Sequence, residues 1–162
     1  MEMKQNEHQH SKSNAMMYKK FALMLVLSFI AMYILMYAMV DRLANVVPNV
    51  NQFYMAGLMT MPMLILELLI MGGMYLNKKL NKILIAAGFI GLIASFLCIH
   101  QQAGVTDKQF LKSMIPHHAA AVLMVKKASL TDPEIRELAD KIITSQQEEI
   151  QQMKDKLKQL NK

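Results

Sequence analysis

Residues 106–127 read TDKQFLKSMIPHHAAAVLMVKK, a run that opens on a threonine, closes on two lysines and holds two adjacent histidines among thioethers and apolar side chains. Its period is helical. Stepping ~100° per residue from Met114, Phe110, Leu111, His117, His118, Ala121, Met124 and Val125 fall on one side, so both imidazoles are expected to face the apolar side of the helix. A buried ring nitrogen without a partner costs roughly 1–3 kcal/mol. A metal ion satisfies two such nitrogens at once, and carbonyls or carboxylates around a pair of core histidines are the other solution. Met114 and Met124 put soft sulfur on the same face, which favours Cu(I) over harder ions. Thr106 with Gln109 makes a capping box, and Pro116 removes a backbone donor and predicts a kink one turn before it. The helix is expected to end near Ser129, where Leu130-Thr131-Asp132-Pro133 supplies a turn, an N-cap and a proline at the first position of a second helix.

In that second helix Ile135, Leu138, Ala139, Ile142, Ile150, Met153, Leu157 and Leu160 recur at intervals of three or four. Gln146 and Glu149 interrupt the stripe. They read either as its solvated edge or, opposite the histidine helix in a hairpin, as partners for imidazole N–H groups or an oxygen ligand. Met153, one turn beyond Glu149, offers another sulfur.

Upstream the chain changes character. Apolar residues make up 54% of it, concentrated in three runs at Phe21 to Val40, Phe53 to Leu76 and Ile83 to Ile99, each near the ~20 residues needed to cross ~30 Å of hydrocarbon. Residues 1–18 are polar and read as a disordered cytoplasmic tail in which His8 and His10 are the only chemistry. Residues 19–100 then form a three-helix membrane region, and residues 101–162 a hairpin domain bearing histidine and methionine. His100 reads as an interfacial residue. Glu67 falls in the middle of the second span, where an ionisable group costs about 2.5–3.5 kcal/mol and marks function or a helix pair. Met55, Met59, Met63 and Met71 follow at i+4 around it, as flexible filler of helix contacts or as a copper conduit. Lys12, Lys19 and Lys20 flank the first span and Lys78, Lys79 and Lys82 the second loop, whereas the first loop has only Arg42 opposite Asp41. The positive-inside rule therefore sets the N-terminus and second loop in the cytoplasm and the hairpin outside.

The net charge of +6 carries no basic cluster interleaved with aromatics, so nothing points to nucleic acid. Cys98 is the single cysteine and sits in the third apolar run. No internal disulfide is possible, and a metal in the hairpin must be held without thiolate.

The pattern Asp107-x-x-Phe110-Leu111-x-x-Met114-Ile115-Pro116-His117-His118-x-x-Ala121-x-x-Met124, followed by Ile143-x-x-Gln146-x-x-Glu149-Ile150-x-x-Met153, resembles the bacterial domain of unknown function family 305. The resemblance covers Thr106 to about Leu160. It implies a ferritin-like helical bundle, commonly extracytoplasmic and associated with copper binding and copper tolerance, and it implies a metal role for Met114, His117, His118, Met124 and Met153. Many members carry two such units, and this chain has one.

The expected fold is therefore all-α: three transmembrane helices followed by an extracytoplasmic helical hairpin, half of a ferritin-like four-helix bundle. The expected function is non-catalytic, a membrane-anchored protein that binds copper, as Cu(I) or Cu(II), and sequesters it or hands it over. The alternative is a metal-free adaptor that uses its hairpin to hold another protein. A di-iron oxidase would need several inward carboxylates with Glu-x-x-His pairs on facing helices, and this hairpin offers Glu149 but no Glu-x-x-His; a zinc hydrolase would need three hard or borderline ligands and an open position, which His117, His118 and Glu149 could barely supply. A lone hairpin also leaves flanking positions such as Ile115, Val122 and Ile143 bare, which predicts a homodimer that closes the bundle through them.

Overall fold

The computed structural model describes residues 2–161, with side chains from residue 14 onward, and the described residues contain helices and turns but no strand. Five helices follow in order: α1 (Glu2–Leu35), α2 (Val50–Ile70), α3 (Lys78–His100), α4 (Asp107–Lys127) and α5 (Pro133–Gln159), with single 3-10 turns at Met36–Met39 and Leu43–Asn45. The chain divides into two compact units, residues 1–33 with 54–101 and residues 34–53 with 102–162.

The first unit holds the apolar helices. Asn14–Met39, Val50–Ile70 and Lys78–His100 are each long and apolar enough to cross a membrane, with mean hydropathies of 2.3, 1.8 and 2.4. Most of their large apolar side chains point outward, Leu27, Leu66, Ile70 and Ile90 among them. That is the pattern of helices whose solvent is lipid. Small residues let α2 and α3 approach closely: a Cβ on Gly88 would stand 2.9 Å from Leu64 and Ile65, and one on Gly91 would stand 2.8 Å from the Met61 sulfur.

Two boundaries differ from the sequence reading. The backbone of the expected tail belongs to α1, and its last residues are tied into the bundle, where Met17 packs on the core and the Tyr18 hydroxyl donates to Asn81 Oδ1 at 2.6 Å. His8 and His10 lie outside the described side chains. The second span stops at Ile70 rather than Leu76, because Gly72-Gly73 breaks it. Glu67 consequently lies in the last turn of α2, not mid-span, and accepts a hydrogen bond from the Tyr75 hydroxyl at 3.1 Å. Tyr75 is buried against the rings of Tyr18 and Phe21, and its carbonyl accepts from Asn81 Nδ2 at 2.9 Å. The methionine row does not line an interior file, since Met59 and Met71 are exposed.

The second unit is the α4–α5 hairpin together with the first loop. Asp132 caps α5 as its sequence predicts, accepting from the backbone N–H groups of Glu134 at 2.8 Å and Ile135 at 3.1 Å, with Pro133 in the first position. The capping box at Thr106 does not form: Thr106 makes no side-chain cap, and Gln109 Oε1 instead accepts from the Val50 N–H at 3.2 Å. Helix α4 runs unbroken across Pro116, which is buried. The core is Ile115, Ala119, Val122, Ile150 and Met153, with Leu111, Met114 and Leu157 at its margin and Val40 and Val47 of the first loop packed over it. Lys154 Nζ donates to Asn45 Oδ1, and Asn45 Nδ2 donates to Asp41 Oδ1 at 2.6 Å. These bonds pin the loop to α5.

Candidate metal centre

The line of α4 that faces inward is Ile115–Ala119–Val122, each 0% exposed. It is centred about 105° around the helix from Met114, so the expectation that both histidines face the apolar core is corrected. Successive helical residues diverge by ~100°: His118 lies on the inner flank, its side chain 12% exposed, while His117 points out. Their ring centroids are 6.1 Å apart at an interplanar angle of 58°. The premise of the expected dimer seam is corrected with it. Ile115 and Val122 are not bare, because Val40 and Val47 complete their cover within one chain.

The antiparallel partner helix brings Glu149 to His118. Glu149 Oε2 stands 2.9 Å from Nδ1, yet the ring makes no aligned hydrogen bond there and Nδ1 is buried without another partner. Glu149 is 43% exposed, and its Oε1 accepts from the Ser145 hydroxyl at 2.8 Å. Burial pushes the His118 pKa below the usual imidazole value; the carboxylate of Glu149 opposes that shift and His117 adds to it. Desolvation wins, so the ring is neutral at pH 7 and the close approach is a polar contact rather than an ion pair. A neutral imidazole keeps one ring nitrogen with a free lone pair, the form in which histidine ligates metals.

Of the remaining residues singled out in the sequence, Met153 is buried in the hairpin core and Met114 packs against it. Gln146 is half-buried on α5. Met124 is 53% exposed near the turn, beside Ile135, Leu138 and Ile142. His100 belongs to the other unit and stacks on Phe96 at 4.2 Å. The structure thus gathers His118 with Glu149, and Met114 with Met153 about one core, and leaves His117 and Met124 on the outer side of α4. Among the described residues no three His, Cys, Asp or Glu side chains stand together as a metal-holding group. A metal in one hairpin therefore depends on thioether sulfur beside a single imidazole. The sequence reading missed Val40, Val47 and Asn45, whose only local signal was an apolar pair and an asparagine in a loop.

Comparison with known proteins places these elements. The chain is 34% identical over 134 residues to an uncharacterized protein of Acanthamoeba polyphaga mimivirus, an alignment that covers 81% of this chain and 86% of the relative. No solved structure matches. The model of the family described as Domain of unknown function (DUF305) matches residues 70–157. The match begins at the end of α2 and takes in α3 as well as the hairpin, so the family segment is not confined to a C-terminal unit behind three spans. With more than half its length matched, the chain belongs to the DUF305 family.

Proposed function

We propose that this protein is a membrane-anchored, extracytoplasmic copper-binding protein that serves copper tolerance or homeostasis by sequestration or hand-over. The observation that carries the reading is His118: a mostly buried imidazole, held neutral by burial, with an unsatisfied Nδ1 beside Glu149 and the thioethers of Met114 and Met153 in the adjoining core. One imidazole with sulfur neighbours and no thiolate is a donor set that suits Cu(I), and imidazole serves Cu(II) as well. His117 and Met124, on the outer side, are donors for an arriving or departing ion. The lysine flanks of the first span and second loop support a cytoplasmic N-terminus and an outer hairpin.

Copper content and oxidation state of the detergent-purified protein test this directly. Wild type is expected to retain copper after dialysis and His118→Ala to lose it by at least tenfold, while Met114→Leu or Met153→Leu weakens Cu(I) more than Cu(II), because only softness is removed. A wild-type protein that retains no copper overturns the reading. It would favour instead a metal-free adaptor, whose one supporting observation is the exposed apolar groove of Met124, Leu130, Ile135 and Leu138.

A further inference from the structure

The hairpin has two faces, and only one is covered within the chain. The first loop lies over the side marked by Ile150 and Lys154. On the opposite side five of the unit's large apolar residues stay open: Phe110 and Met124 on α4, Ile135 and Leu138 on α5, and Leu160 at the C-cap of α5, all 45–56% exposed. His117 and Glu149 lie midway between these two apolar ends. The His118–Glu149 contact fixes the antiparallel register, and counting ~1.5 Å per residue from it puts Met124 within a residue of the level of Ile142, Phe110 at that of Leu157 and within a turn of Leu160, and His117 within a residue of Glu149. The face therefore reads apolar, ionisable, apolar along both helices. Lipid is a poor cover for such a surface, since its centre carries a carboxylate and an imidazole.

We infer that this face is where a second copy of the chain docks, about a two-fold axis parallel to the hairpin, and that the second copy completes the metal site. That axis lays α4 of each copy on α5 of the other at the same level. Met124 then meets Ile142 of the second copy, Phe110 comes within a turn of Leu160, and His117 comes opposite Glu149, each contact occurring twice as closed two-fold pairing requires. Across the seam, His117 of one copy joins His118 and Glu149 of the other, a set of three nitrogen and oxygen donors that the described residues of one chain do not assemble. The alternative axis, perpendicular to the helices, would set α4 on α4 and bring Glu149 against its own copy, like charge on like. The metal half of this inference rests on the copper reading above.

The test uses the full chain in detergent. Two differently tagged copies, one with Met124→Cys and one with Ile142→Cys in a Cys98→Ser background, are co-expressed, and mixed-tag disulfides are expected to exceed same-tag disulfides several-fold. Light scattering should give a dimer for wild type and a monomer for Leu138→Lys with its helical circular dichroism intact, and copper retained per chain should fall at least tenfold in that monomer. A monomeric wild type, or same-tag disulfides that match the mixed ones, overturns the interface; if that monomer still holds copper, the copper reading stands alone. A dimer whose copper is unchanged in His117→Ala overturns the shared site, and a dimer that binds no copper overturns the copper reading while leaving the interface.

Discussion

At the scale of single residues, His118 is where burial and charge compete. Its pKa lies below the ordinary ~6.5 of imidazole because burial outweighs Glu149, and this couples folding to pH with a definite sign. Above pH ~6.5 the ring is neutral in folded and unfolded chains alike, so titration contributes nothing. As pH falls below that value the unfolded chain takes up a proton first, and stability drops until the folded pKa has also been passed. Thermal unfolding of the full chain in detergent should therefore show a Tm that declines below pH ~6.5, with a shallower decline in His118→Gln. Equal slopes would mean that other groups govern the acid side. Asp132 and Pro133 were legible in the sequence because a cap and a first-position proline act on their own neighbours. The direction of His117 was not. Two apolar lines run along this helix, Met114–Ala121–Val125 and Ile115–Ala119–Val122, and which one is buried depends on what covers the helix.

At the scale of elements, that cover is the first loop. Val40 and Val47 sit far upstream and share no periodicity with α4, so no window of sequence around the histidines could report them. Gln109 was misread for the same reason: its side chain meets the N–H of Val50 rather than the cap of its own helix. The helical hairpin itself and the three apolar helices were legible, since each is written in a local period or a continuous run. Ile115 is fully buried in this core, so Ile115→Ala should cost about 2–5 kcal/mol. Loss of the Asp132 cap in Asp132→Ala should cost about 1 kcal/mol. Tm values of the two variants in one detergent order them, and a milder effect at Ile115 would show that the loop does not seal the core.

At the scale of the whole molecule, the second unit joins residues 34–53 to residues 102–162, the segments that follow the first and the third apolar helix. Crossings by the three helices long and apolar enough for it would leave both on one side of a membrane, as their packing into one unit requires. With lysines on the other flanks, a reporter fused after Lys162 and a labelled Arg42→Cys in a Cys98→Ser background should both read out as extracytoplasmic. A cytoplasmic signal from either sinks the assigned orientation. The loop's hold on the hairpin also bears on how the protein comes into being. Val40, Asn45 and Val47 leave the ribosome two apolar helices ahead of Ile115, Val122 and Lys154, and they have nothing to seal until α4 and α5 arrive on the same side. A chain that threads two crossings instead of three strands the loop and the hairpin on opposite sides, with neither owning a closed core. The loop and the hairpin can thus close their shared core only in a chain that has brought both to the same side.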